Sequence, residues 1–192
     1  MSANDSRSTV AAGEHYVSYR VACMGFVPTL VLPSVRSVDL LVSSFDGGRI
    51  VAVQVKSATN ARREKTKGAV EENLQLQFPL SQSAITEAAE VGIFCFVDLR
   101  LRNPDDGPEV YIVPAKTLKR EYAGYYARKH SHFVHHRSAA SMEPYRNNWQ
   151  PLIDGLTREK YLETTVRSPI ESAEPSQEMH GDFLKNWVAF AG

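Results

Sequence analysis

An excess of charge of either sign is missing from this 192-residue chain: Lys and Arg number 22, Asp and Glu 22, and the formal net charge is +0. The whole-molecule field therefore favours neither nucleic acid nor membrane, and only a local patch can supply such attraction. Cysteine is scarce. Cys23 and Cys95 are the two present, each inside an apolar run, "RVACMGF" and "GIFCFVD". Their spacing suits no zinc site, and the expectation is two buried free thiols in a reducing cytoplasm. No apolar run approaches the length of a membrane span, and the opening "MSANDSRST" carries no apolar core of a signal peptide. Also absent are a Gly-rich phosphate loop, a GxSxG elbow, an HExxH helix, internal repeats and low-complexity tracts.

What is there is ordinary globular material, 43% hydrophobic and 23% charged, long enough for one domain with appended elements. Residues 1–8 read as a disordered tail, 9–130 as the folded domain, and 131–192 as a C-terminal extension packing on the core, with a flexible linker near 166–181. From Thr9, a plausible N-cap, Val10, Val17, Val21 and Met24 recur at helical spacing up to Gly25, a plausible C-cap. "FVPTLVLP" predicts a short strand that Pro28 keeps at an edge. "VDLLVSSF" and "RIVAVQVKS" predict a hairpin closed by "DGG". "ATNARREKTKGAVEEN" reads as a surface loop, "LQLQFPL" as a short strand and "SQSAITEAAEVG" as a helix capped by Ser81 or Ser83. "VGIFCFVDLRL" reads as a central strand buried on both faces, "EVYIVP" as a further strand and "AKTLKREYAGYYARKH" as a helix. Beyond residue 130 the periodicity fades, although "LTREKYLETT" and "DFLKNWVAF" have helical character. The whole is α/β, a mixed layer around a small sheet.

Polar residues interrupt the hairpin. Counted back from the turn, Asp39 on the first strand falls opposite Gln54 on the second, and Gln54 and Lys56, two apart, share a face. A carboxylate and an amide oxygen suit Mg²⁺, a hard cation. A neighbouring Lys can orient a water or neutralise charge building on a phosphate. This is equipment for phosphodiester hydrolysis. Taken singly, Asp39 also suits a strand-start residue bonding a turn, and Lys56 an exposed strand-end charge.

The pattern Asp39, then Gln54-Val55-Lys56 on the next strand, with Glu14 in "AAGEHYVSYRVACMGF", resembles the PD-(D/E)xK nuclease superfamily. The phrase G-E-x-x-V-x-x-x-x-A-x-x-G-F followed by "VDLLV" and "VQVKS" is similar to branches related in pattern to archaeal Holliday-junction resolvases. The resemblance covers residues 10–100. It implies a restriction-endonuclease-like αβββαβ core with a mixed sheet flanked by helices. It also implies a Mg²⁺-dependent endonuclease acting on DNA, with Mn²⁺ able to substitute, and a homodimer as in many nucleases of this fold. In that scheme Asp39, the Gln54 side chain and the Val55 carbonyl bind the metal. Glu14 holds a metal-bound water or a second metal, and Lys56 positions the attacking water. Two departures stand out. Val38 replaces the Pro of the motif, and Gln54 replaces an acid, removing a negative charge and weakening the expected metal affinity. The alternative is a catalytically inactive module of the same fold that binds nucleic acid or a protein partner.

Three other features carry expectations. Arg62, Arg63, Lys65 and Lys67 suit phosphate contact along a duplex, or else a solvated loop. His130, His132, His135 and His136 suit partly exposed positions on a loop or strand, with transition-metal binding the weaker reading. Tyr122, Tyr125 and Tyr126 suit a packing face, and Trp149 and Trp187 suit anchors of the C-terminal third.

Overall fold

A computed structural model of the chain describes residues 3–32, 37–64, 74–101, 104–123 and 132–157. The chain divides into two units, Met1–Arg158 and Glu159–Gly192, and every described residue lies in the first. The expected linker near 166–181, "DFLKNWVAF" with Trp187, and nearly all of "LTREKYLETT" fall outside the described residues.

Helix α1 (Ala3–Cys23) starts ahead of the expected Thr9 cap, so residues 3–8 are helical. It ends in a Schellman motif. The amide of Gly25 donates to Ala22 O at 3.0 Å and that of Phe26 to Val21 O at 3.3 Å, and Gly25 takes the φ of 84° that the motif demands. Val17 and Val21 are fully buried, whereas Val10 is half exposed. The apolar stripe therefore serves only the C-terminal half of the helix.

Five strands follow in a mixed sheet: β1 (Val27–Leu30), β2 (Leu40–Ser43), β3 (Ile50–Ala58), β6 (Ile93–Asp98) and β7 (Glu109–Pro114), side by side in that order. β1, β2 and β3 pair antiparallel, β3 and β6 parallel, and β6 and β7 antiparallel. Pro28 sits on the edge strand β1, as its missing donor requires. β4 (Arg62–Glu64), β5 (Leu74–Ser81) and the short helix α2 (Gln82–Thr86) lie between β3 and β6 in the chain. Ser81 caps α2 by accepting from the Ala84 amide at 3.2 Å. The order α1, β1, β2, β3, α2, β6 is the αβββαβ order expected.

Alternation along the strands separates two cores. Val51, Val53, Val55, Cys95 and Ile112 face α1 and helix α5 (Gln150–Thr157), with Trp149 buried among them. Phe94, Phe96, Tyr111 and Val113 face a second sheet of β4, β5 and β8 (His132–Ser138), where Leu76, Phe78 and Leu80 meet them. Helix α3 (Ala115–Tyr122) closes this side through Leu118, and helix α4 (Ala139–Met142) through Met142. β6 is buried along its whole length, as a central strand between two layers must be.

The second sheet corrects two expectations. The stretch read as a surface loop contains β4, paired antiparallel with β5, and the unpatterned region after residue 130 contains β8, paired with β5 from Gln75↔Ser138 to Ser81↔His132. Neither has apolar alternation, because main-chain ladders to β5 hold them. Cys95 is buried and its thiol is pushed well up by burial, but Cys23 is exposed, and both are free. No helix among the described residues is long and apolar enough to cross a membrane.

Candidate active site

The hairpin register sets the site. Gly47 takes a φ of 71°, and Asp46 Oδ1 accepts from the Gly48 amide at 3.0 Å and from Ser44 Oγ at 2.5 Å. These bonds hold the turn so that Ser44 N donates to Arg49 O at 3.0 Å and Leu40 stands opposite Val53. One step further out the count fails: the amide of Asp39 donates to Val53 O at 3.0 Å, so Asp39 and Leu40 both stand against Val53 in a bulge, and Asp39 is not squarely opposite Gln54.

Hydrogen-bonded pairs recur at every second residue of an antiparallel ladder. A regular ladder would next form the pair Val38 and Val55. The chain leaves before it forms, with Ser37 at a φ of 67°. The amide of Val55 donates instead to Asp39 Oδ2 at 2.7 Å. The carboxylate thus stands in the gap where β2 and β3 part, with one oxygen committed to the main chain.

Gln54 and Lys56 project to the face of the second core. Gln54 is 6% exposed, and its Oε1 is buried without a hydrogen-bond partner among the described residues. Lys56 is half-buried. Burial draws its ammonium below the usual lysine range, and the charges of Asp39 and Glu14 resist that shift.

Glu14 reaches the group from α1, which packs on the opposite face of the sheet. Ser57 Oγ donates to Thr9 O at 2.8 Å. Gly13 makes the approach possible, since a Cβ there would lie 2.6 Å from Ser57 Cβ. Burial, and then the charge of Asp39, raise the carboxyl of Glu14 above its usual range, with His15 and Lys56 opposing. Glu14, Asp39 and Lys56 therefore share one electrostatic neighbourhood, with Gln54 at its buried edge. Among the described residues no three His, Cys, Asp or Glu side chains form a metal-holding group. The oxygen donors available here are the two carboxylates and the Gln54 amide.

No protein family matches the chain, and no curated protein does. Among solved structures, that of a bacterial homing endonuclease, I-Ssp6803I, is similar at 13% identity and a TM-score of 0.46, covering 77% of this chain and 92% of that one. A likeness this loose does not bear on the site, whose reading rests on its own residues.

Two residues of the basic segment are described. Arg62 turns inward and places Nη2 2.6 Å from Glu109 Oε2. Arg63 is exposed, and Lys65 and Lys67 lie outside the described residues. Of the four histidines, only His135 has a described side chain. His135 is 1% exposed, stacked on Phe96 at 4.9 Å and bonded through Nδ1 to the Tyr122 hydroxyl at 2.5 Å. It is a core residue, contrary to the partly exposed position expected. The side chains of His132 and His136 are not described, and His130, Tyr125 and Tyr126 lie outside the described residues. Trp149 is buried and carries Arg20 over its ring at 5.6 Å, anchoring the segment before α5.

A cluster absent from the sequence reading surrounds Glu109, which is 4% exposed. Arg146 Nη2 lies 2.5 Å and Arg100 Nη1 3.5 Å from its Oε1, while Tyr111 donates to Oε2 at 3.1 Å. Burial pushes this carboxyl up. The Arg62 hydrogen bond and the charges of Arg62, Arg100 and Arg146 outweigh burial and hold it below the usual range. The only signal in the sequence was a lone Glu opening an apolar strand.

Proposed function

We propose that the protein is a Mg²⁺-dependent endonuclease that hydrolyses DNA phosphodiester bonds. The observation that carries this reading is the buried Gln54 Oε1 left without a partner, next in the chain to Val55, whose amide the Asp39 carboxylate holds. An unsatisfied buried acceptor costs about 1–3 kcal/mol, a cost that a bound cation removes. Oxygens from Asp39, Gln54 and Glu14 are hard donors and fit Mg²⁺ or Mn²⁺. When bound, the cation polarises a phosphoryl oxygen and acidifies a water.

The remaining roles belong to the chain. Asp39 uses Oδ2 to hold the Val55 amide, which orients the free Oδ1 and keeps the strands parted. The carbonyl of Val55 is a further oxygen at that gap. Glu14 supplies a carboxyl whose raised pKa suits it to accept a proton from water. Lys56 brings a positive charge in a partly dehydrated setting, where it acts strongly on the negative charge developing on phosphorus.

Plasmid nicking tests the reading. Purified protein is expected to nick supercoiled DNA with Mg²⁺ or Mn²⁺ and not in EDTA. Lys56→Ala is expected to abolish nicking while leaving DNA binding within a few-fold. Undiminished nicking by the variant removes Lys56 from the site. The bond from Val55 to Asp39 favours a second reading, in which Asp39 is structural and the fold binds nucleic acid without cutting. Binding without metal-dependent cleavage by the parent protein identifies that case.

A further inference from the structure

The arginines around Glu109 lie on the same face and at the same end of the five-stranded sheet as the candidate site. The registers Ala58↔Asp98 and Asp98↔Glu109 place Glu109 across two strands from Ala58, which shares its face with Gln54 and Lys56. Two strand spacings of about 4.8 Å and two residues of about 3.3 Å along the strand separate Lys56 from Glu109 by about 12 Å. Because each strand winds round the duplex axis as it rises about 3.4 Å per nucleotide, its neighbouring phosphates lie about 6–7 Å apart, and this distance is about two steps along one strand.

Three guanidiniums meet the buried carboxylate of Glu109, with the buried Asp98 across the ladder from it and Asp106 and Glu143 at the rim. Arg62 is the inner member, its side chain 19% exposed, and with the Tyr111 hydroxyl it satisfies Oε2. Arg146 and Arg100 are the outer members, their side chains 39% and 21% exposed. Glu143 and Asp106 stand nearby, each 3.5 Å from its arginine, at 64% and 48% side-chain exposure. Pairs so open to water are weak and are given up readily. Arg100 is aimed by its backbone: it holds a φ of 50°, and its amide donates to Asp98 Oδ1 at 3.1 Å. Glu109 thus serves as a buried post that preorganises the Arg100 and Arg146 guanidiniums, Arg146 being the most exposed of the three, and their planar forks match phosphate oxygens.

We propose that Arg100 and Arg146 form a second phosphodiester-binding subsite, which holds the DNA backbone about two nucleotides from the bond at the hairpin site. The proposal rests on the nuclease reading and adds a binding register to it.

The test uses the full chain, a fluorescent DNA duplex and EDTA to prevent cleavage, with affinity followed against salt. Arg100→Gln/Arg146→Gln is expected to lose about tenfold in affinity near physiological salt, and the slope of log K against log salt to flatten by about 1.8, or 0.9 per phosphate contact. Arg100→Lys/Arg146→Lys is expected to keep the slope, which a purely structural role does not predict. If the double Gln variant does not fold, Arg146→Gln alone is used. Arg62 and Tyr111 still hold Glu109 there, and the expected flattening is about 0.9. An unchanged slope in a folded variant overturns the subsite, and metal-dependent nicking by the parent then leaves the nuclease reading intact. A parent protein that neither binds duplex nor nicks it overturns both.

Discussion

The amide of Val55 donates to Asp39 Oδ2 at 2.7 Å, in the place where the strand ladder would have supplied a carbonyl. The carboxylate that suits metal binding thus also terminates the hairpin. The two roles separate by substitution. Asp39→Asn keeps an oxygen for the amide and loses the charge. Its stability is expected to stay within about 1 kcal/mol of the parent, while Mn²⁺ affinity falls at least about tenfold. Asp39→Ala leaves the Val55 amide unpaired and is expected to cost about 1–3 kcal/mol as well. Denaturant unfolding and calorimetric Mn²⁺ titration read the two effects. Equal affinity in Asp39→Asn and parent places any ion elsewhere.

Gln54→Glu sets two readings against each other. The side chains are nearly isosteric, so packing barely changes. Without a cation, the new carboxylate faces Asp39 and Glu14, and repulsion lowers the melting temperature. With Mn²⁺ present, the extra charge strengthens coordination, so the variant's melting temperature is expected to rise more than the parent's. If Mn²⁺ moves neither, the group is not a cation site.

Gly13→Ala tests the approach of α1 to β3. The added methyl would sit 2.6 Å from Ser57 Cβ, which has no freedom to move aside without its strand. Overpacking of this kind costs about 1–3 kcal/mol, against about 1 kcal/mol gained in helix propensity. Net destabilisation with reduced nicking is expected, since Glu14 shifts with the helix. Thermal melts and the plasmid assay report both, and an unperturbed variant shows that the helix can move without consequence.

Glu109 sets an acid limit on stability. Its folded pKa lies below the unfolded value, so the folded state binds fewer protons there. The stabilisation is full above the unfolded pKa of about 4.3 and is lost as pH falls through the folded pKa. Glu109→Gln removes this dependence and leaves the arginines without their anion, at a cost of about 3–5 kcal/mol near neutral pH. Melting from about pH 6 to about pH 3 is expected to destabilise the parent more steeply than the variant. Parallel curves show that Glu109 carries no such linkage.

The hairpin, its register as far as Leu40 and Val53, and the shared face of Gln54 and Lys56 were legible in the sequence, because alternation and a two-glycine turn are local signals. The same holds for the central strand β6, whose unbroken apolar run states that both faces are covered, and for the glycine that ends α1. The second sheet was not legible. β4 and β8 are held by ladders to β5, and a ladder uses main-chain groups that every residue possesses. Arg62 reads as a surface cation until the fold brings Glu109 to it from 47 residues away. His135 reads as a polar strand residue until Phe96 and Tyr122 enclose it. Local periodicity determined the elements and the polar residues they carry. The tertiary structure alone decided which of those residues are buried, paired or left without a partner, since burial and charge pairing depend on segments distant in the chain.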